Sequence, residues 1–170
     1  MAIRFVTSTE YELEIVVTVD DAVQANDEQK SAYLASGNLS DLGSVSNEAT
    51  RFIIKALSPA SRERAEIRAG AYTRSELGRL LWLQAPNDLE ARARWHHDLT
   101  EDERTAYSEY TAYISRVYIE MIRESLVSID GEPASFEQID LIRPDQVRSD
   151  TISELVVHIQ RISLLGDSGK

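Results

Sequence analysis

Apolar and polar residues alternate strictly over residues 11–19. Tyr11, Leu13, Ile15, Val17 and Val19 fall on one face, the pattern of a half-buried strand, and Asp20-Asp21 ends it. A second strand is predicted over 50–57, with Phe52, Ile53, Ile54 and Leu57 as its apolar members. The stretch between them, 20–49, is polar and rich in Ser, Asn, Asp and Gly. It predicts a short helix around 22–34 and a loop through 37–47. A connection this long is expected to be a mobile, acidic loop or a functional one.

Beyond residue 57 the period changes from two to about 3.6. Ser58-Pro59 places a cap before a proline at the first helical position, and Gly70 can stop that helix. Thr73-Arg74-Ser75-Glu76 reads as a capping box before Leu77, Leu80, Leu81 and Trp82. Pro86 ends this helix, and a short one follows over 88–97. Thr100-Glu101-Asp102-Glu103 is a second capping box, opening the longest helix, to about Ser125. Its stripe is Tyr107, Tyr110, Ile114, Val117, Met121 and Glu124, widened by Ala106, Tyr113, Tyr118 and Ile122. Leu126–Ile129 before Asp130-Gly131 predicts a short strand entering a turn. Residues 136–142 fit no single period. The last helix starts at Pro144 or near Ser149, carries Val147, Thr151, Leu155, Ile159 and Ile162, and is expected to close at Gly166 before a frayed tail over 167–170.

Grouped strands followed by helices predict an α+β fold: an N-terminal strand pair, then a mainly helical part of four to five helices over 58–166. A length of 170 residues predicts a single domain.

Charge narrows the candidate partners. There are 29 acidic and 18 basic side chains, a formal net charge of -11, which argues against nucleic acid and against an anionic membrane surface. The segment 58–99 is the only non-acidic one, with 6 acids and 7 bases. It sits between acidic segments of its own fold or faces an acidic partner. Its arginines, Arg62, Arg64, Arg68, Arg74 and Arg79, are interleaved with Glu63, Glu66 and Glu76, the pattern of a solvated, salt-bridged surface. No apolar run reaches the ~18 residues of a membrane span, and the N-terminus lacks a signal-peptide layout, so the expected location is the cytoplasm.

The chain offers little chemistry. It has no cysteine, hence no disulfide, thiolate zinc site or cysteine nucleophile. His96 and His97 are adjacent, so on a helix they point about a hundred degrees apart and do not share a metal easily. His158, beside the Leu155/Ile159 stripe, reads as a partly buried, hydrogen-bonded boundary residue. There is no Gly-x-Ser-x-Gly elbow and no phosphate-cradling glycine loop. The acidic pairs Asp20-Asp21 and Glu101-Asp102-Glu103 end a strand and fill a helix first turn. The expectation is a non-enzyme without cofactor or metal. Tyr107, Tyr110 and Val117 read most simply as core, and Tyr113 lies off the main stripe, where an interface would use it.

Several segments, in order, carry a resemblance: Tyr33-Leu34; Thr50-Arg51-Phe52-Ile53-Ile54-Lys55-Ala56-Leu57-Ser58; Glu124-Ser125-Leu126-Val127-Ser128-Ile129-Asp130-Gly131-Glu132; and Ser153-Glu154-Leu155-Val156-Val157-His158-Ile159-Gln160-Arg161-Ile162-Ser163-Leu164-Leu165. Together these resemble the tail assembly chaperones of tailed bacteriophages. Many of those carry a leucine-valine-small-aromatic-acid-glycine turn after a long helix; Ile129 stands here at the aromatic position. The resemblance implies a non-catalytic acidic protein that binds helical segments of the tape measure protein, or another tail protein, in the host cytoplasm and leaves before the particle is finished. On that reading the faces of 100–125 and 151–165 bind the partner, through Tyr107, Tyr110, Tyr113, Val117, Leu155, Ile159 and Ile162. The alternative is a structural virion component, a tail-completion or head–tail joining protein. Self-association into a homo-oligomer is open under both.

Overall fold

The computed structural model describes residues 11–70 and 76–167, with side chains to residue 164. The fold is α+β. In chain order it comprises β1 (Glu12–Ile15), β2 (Val23–Gln24), α1 (Asp27–Ser36), a 3-10 turn (Leu39–Leu42), β3 (Ser44–Val45), β4 (Phe52–Lys55), α2 (Pro59–Arg68), α3 (Glu76–Gln84), α4 (Leu89–Asp98), α5 (Glu101–Ser125), β5 (Leu126–Ile129), β6 (Glu132–Pro133), α6 (Phe136–Asp140) and α7 (Asp145–Asp167). Five long helices follow β4, as the pattern predicts, and 136–142 adds the short α6. The capping box expected at Thr73 lies outside the described residues. Two compact units form: Met1–Ala65 with Tyr118–Lys170, and Glu66–Val117.

The first unit is built on an antiparallel sheet of order β1-β4-β5-β6. Glu12 faces Lys55 and Ile15 faces Phe52 across β1 and β4. The turn between β5 and β6 has two residues, both with positive φ: Asp130 at 51° and Gly131 at 82°. That is the conformation a tight hairpin requires. The Asp130 carboxylate also accepts from Arg51 N–H, and its own N–H donates to Arg51 C=O, so the turn is tied to the neck of β4.

The alternation of 11–19 holds through β1, with Leu13 and Ile15 turned in and Glu12 and Glu14 out, and fails beyond it. The ladder stops at Ile15, Tyr11 is exposed, and Val16, predicted to face out, is fully buried. Its backbone, beyond the ladder, needs other partners. The Tyr33 hydroxyl supplies both, accepting from Val16 N–H at 3.1 Å and donating to Val16 C=O at 2.9 Å. Burial pushes the Tyr33 phenol up to about 12, even though the Val16 hydrogen bond and Arg161 pull the other way, so the hydroxyl stays protonated.

Within 20–49 the expected short helix is present as α1, displaced toward the C-terminus, and the rest of the segment is ordered as well. Val16, Val23, Tyr33, Leu42 and Ala49 form a small core of their own. Helix α1 opens on an Asn26–Gln29 capping box and closes on Gly37 in the left-handed conformation. Asp20 closes the base of the excursion: one carboxylate oxygen accepts from Ala22 N–H and the other from Thr50 N–H, each at 2.9 Å. Burial alone would raise the Asp20 pKa, but these bonds and the Thr50 hydroxyl outweigh it and hold the carboxyl below its ordinary range. A few scattered apolar residues are enough because one buried tyrosine organises them.

Helix α7 packs on β4 and α1. It runs through Gly166 to Asp167, beyond the expected stop, within the usual looseness of helix ends. Ser163 locks it to the sheet side: its hydroxyl accepts from Leu57 N–H at 2.9 Å and donates to Ile159 C=O.

Removing the Tyr33 hydroxyl leaves two buried backbone groups of Val16 without that partner. Tyr33→Phe is expected to lower unfolding free energy by about 1–3 kcal/mol, read from the urea midpoint at unchanged m-value. An unchanged midpoint would show that the clamp is not what holds this segment.

Candidate functional site

The second unit contains α3, α4 and the first four turns of α5. The tyrosines that the sequence pattern offered as partner contacts make ring contacts within it. Tyr110 lies 5.9 Å from the Trp82 ring of α3. Tyr107 meets Trp95 of α4 edge-on at 5.2 Å and the His96 ring at 5.9 Å. Tyr113 lies 6.4 Å from Tyr110. Such tilted and edge-on pairs suit the charge distribution of aromatic rings. The rings of Tyr107 and Tyr110 join helices of their own unit and are half-buried there. Val117 is buried as well.

Two arginines fix the ends of these helices. Arg92 Nε donates to Pro86 C=O at 2.7 Å, closing the α3–α4 connection, and Arg116 Nε donates to Ala69 C=O at 2.8 Å just past α2. Asp88 caps α4 by accepting from Ala91 N–H. At the start of α5 the predicted capping box is present: Thr100 N–H and hydroxyl donate to the Glu103 carboxylate, and Glu103 N–H donates to Thr100. These bonds hold the Glu103 carboxyl below its ordinary value.

Several large apolar side chains are exposed singly, among them Ile67, Leu89 and Leu141, whereas α3 carries three together. Gly78 and Leu81 are buried, whereas Leu77, Leu80 and Leu83 are 41%, 42% and 60% exposed. At a spacing of three, successive leucines step roughly 60° around the helix, so they form one slanting row on its outer side. The signal was present in the sequence. Leu77, Leu80, Leu81, Trp82 and Leu83 put five large apolar residues into seven positions, more than one buried face of a helix accepts.

The α7 residues proposed as partner contacts lie elsewhere. Leu155 and Ile159 are fully buried and Ile162 is 2% exposed, in the core of the first unit. That face covers β4 and α1 and is not a free surface. His158 shares the same burial, correcting the boundary reading: it is fully buried, 4.8 Å from the Tyr33 ring, and neither ring nitrogen has a hydrogen-bond partner among the described residues. Burial, with the Arg161 charge nearby, pushes its pKa down to about 4. Glu154, one turn earlier, accepts from Thr18 N–H and from its hydroxyl, both at 2.6 Å. Burial raises the Glu154 pKa despite those bonds. Arg161 leans over Gly37, where a Cβ would fall 1.7 Å from its Nη2.

Among the described residues no three His, Asp or Glu side chains come together to hold a metal ion, and no helix is long and apolar enough to cross a membrane. No family model matches the chain, no curated protein matches it in sequence, and no solved structure matches its fold.

His158 generates a pH prediction. Its folded pKa lies below the unfolded value, so as pH falls from 6.5 the unfolded chain takes up the proton first. Stability contributed by the neutral ring is present above pH 6.5 and lost by about pH 4. Glu154, shifted upward, acts in the opposite sense, gaining the folded state stability as it protonates. Comparison with His158→Leu separates the two. The variant should gain on the native chain by on the order of 3 kcal/mol between pH 7 and pH 4, measured by urea unfolding across that range. A constant difference would refute the assignment.

Proposed function

We propose that this chain is a non-catalytic assembly chaperone of a phage-like tail that holds helical segments of the tape measure protein before the tube polymerises around it. The observation that carries the reading is the slanting row of Leu77, Leu80 and Leu83 on the outside of α3. A row of apolar side chains on one helix is the complement of an amphipathic helix, whose anchors recur at three- and four-residue spacing. The partner surface is thus α3, in place of the α5 and α7 faces.

Two further features agree with this. The resemblance to tail assembly chaperones runs in order through β4, the α5–β5–β6 turn and α7, the scaffold of the first unit. The formal net charge of -11 opposes self-association of a chain with exposed leucines.

The test is co-expression with the tape measure protein of the same genome and capture through a tag on this chain. The long protein should come out soluble and bound. Leu80→Asp combined with Leu83→Asp should reduce its recovery at least about ten-fold, the loss expected when central apolar anchors are removed, without lowering the melting temperature. If the long protein stays insoluble and unbound with the native chain, the reading fails. Recovery of the chain in purified particles, at a fixed ratio, would make it a structural component of the virion instead.

A further inference from the structure

The first unit contains a half-open cavity of about 380 Å³ between the segment following β1 and the α6–α7 corner. It is independent of the α3 surface and of the chaperone reading. Its walls are mainly apolar: Val17, Val19 and Phe52 on one side, Ile139, Ile142 and Val147 on the other. The volume is at the small end of ligand pockets, about 300–1,000 Å³. It suits a single ring with a short chain and is too small for a helix.

The charges around it are not balanced. On the α6–α7 side, Arg143 Nη1 donates to the carbonyls of Asp140 and Ile142, each at 2.8 Å, and Nε lies 3.8 Å from the Asp145 carboxylate. Arg148 reaches Asp140 at 3.0 Å and Asp145 at 3.5 Å. Two arginines and two aspartates neutralise one another there. The opposite wall carries Asp20 and Asp21. Both oxygens of Asp20 are engaged by backbone N–H groups. Asp21 is exposed and makes no hydrogen bond or ion pair among the described residues. A mainly apolar chamber thus has one carboxylate of its lining held by backbone N–H groups and a second with its acceptors open.

The geometry points to a binding site for a small organic ammonium compound, its apolar ring in the chamber and its positive charge against Asp21. Asp20 adds to the negative field without giving up its backbone partners. A neutral ligand of the same shape would gain the apolar contact alone, and an anion would meet two carboxylates against one lining arginine, Arg143, which already faces Asp145.

The test is an NMR titration of the full chain at neutral pH with three matched probes: phenethylammonium, 2-phenylethanol and phenylacetate. Phenethylammonium should shift the amides of Val19, Asp21, Ile142 and Val147 and saturate, binding about five-fold tighter than the alcohol, the scale of one partly solvated charge pair. Phenylacetate should not bind. Asp21→Asn should erase the advantage of the cation and leave the alcohol unchanged, and Val147→Trp, filling the chamber, should remove both. Added salt should narrow the gap between cation and alcohol. Equal affinity for the three probes, shifts confined to other parts of the chain, or an undiminished cation preference in Asp21→Asn would each overturn the proposal.

Discussion

Val16 sits one residue beyond the β1 ladder, where the sheet no longer satisfies its backbone. The Tyr33 hydroxyl takes over both the N–H and the C=O, and much of the first unit follows from that. Reaching Val16 ties α1 to the end of β1 and gathers Val23, Leu42 and Ala49 into one cluster with the tyrosine. The other side of the ring meets His158, so α7 has to present its apolar face inward at that point. Leu155, Ile159 and Ile162 are buried as a consequence. A helix whose stripe could have served a partner is thereby committed to its own fold.

That arrangement carries a polar cost. His158 has two ring nitrogens without hydrogen-bond partners among the described residues, and Arg161 has Nε and Nη1 in the same condition. Unpaired buried groups of this kind typically cost about 1–3 kcal/mol each. The region tolerates them because the histidine stays neutral and because Gly37 leaves room for the guanidinium where any Cβ would collide. Gly37 is thus fixed twice, by its positive φ of 74° at the end of α1 and by the arginine above it. Thr18 and Glu154 complete the link between the end of β1 and α7.

The parts of this fold that are legible in the sequence are those decided by local chemistry. Thr100-Glu103 caps α5 as its spacing demands, Asp130-Gly131 makes the hairpin, and Pro86 and Asp88 separate α3 from α4. The parts that are not legible depend on a distant partner. Nothing near Val16 signals that a tyrosine seventeen residues on will bury it, so alternation, which holds through β1, fails at that residue. The segment 20–49 has too few apolar residues to advertise a core, and its order comes from one hydroxyl and one aspartate. For the binding surface, the amphipathic stripes of α5 and α7 were visible, but a stripe cannot say whether its own fold or another protein covers it. Here the first unit covers α7, and Trp82 and Trp95 occupy the tyrosines of α5.

Helix α3 carries more apolar surface than its own unit covers. A nine-residue helix has room for one buried face, and Gly78, Leu81 and the half-buried Trp82 fill it. Leu77, Leu80 and Leu83 are surplus to that face. Each fully buried leucine is worth about 1.5–3 kcal/mol relative to exposure, so a row of three left largely in water forgoes several kcal/mol that glutamate or lysine at the same positions would not put at stake. Isolated exposed leucines are ordinary, whereas three on one short helix form a patch. The excess of acidic charge over the whole chain works against two such rows covering each other.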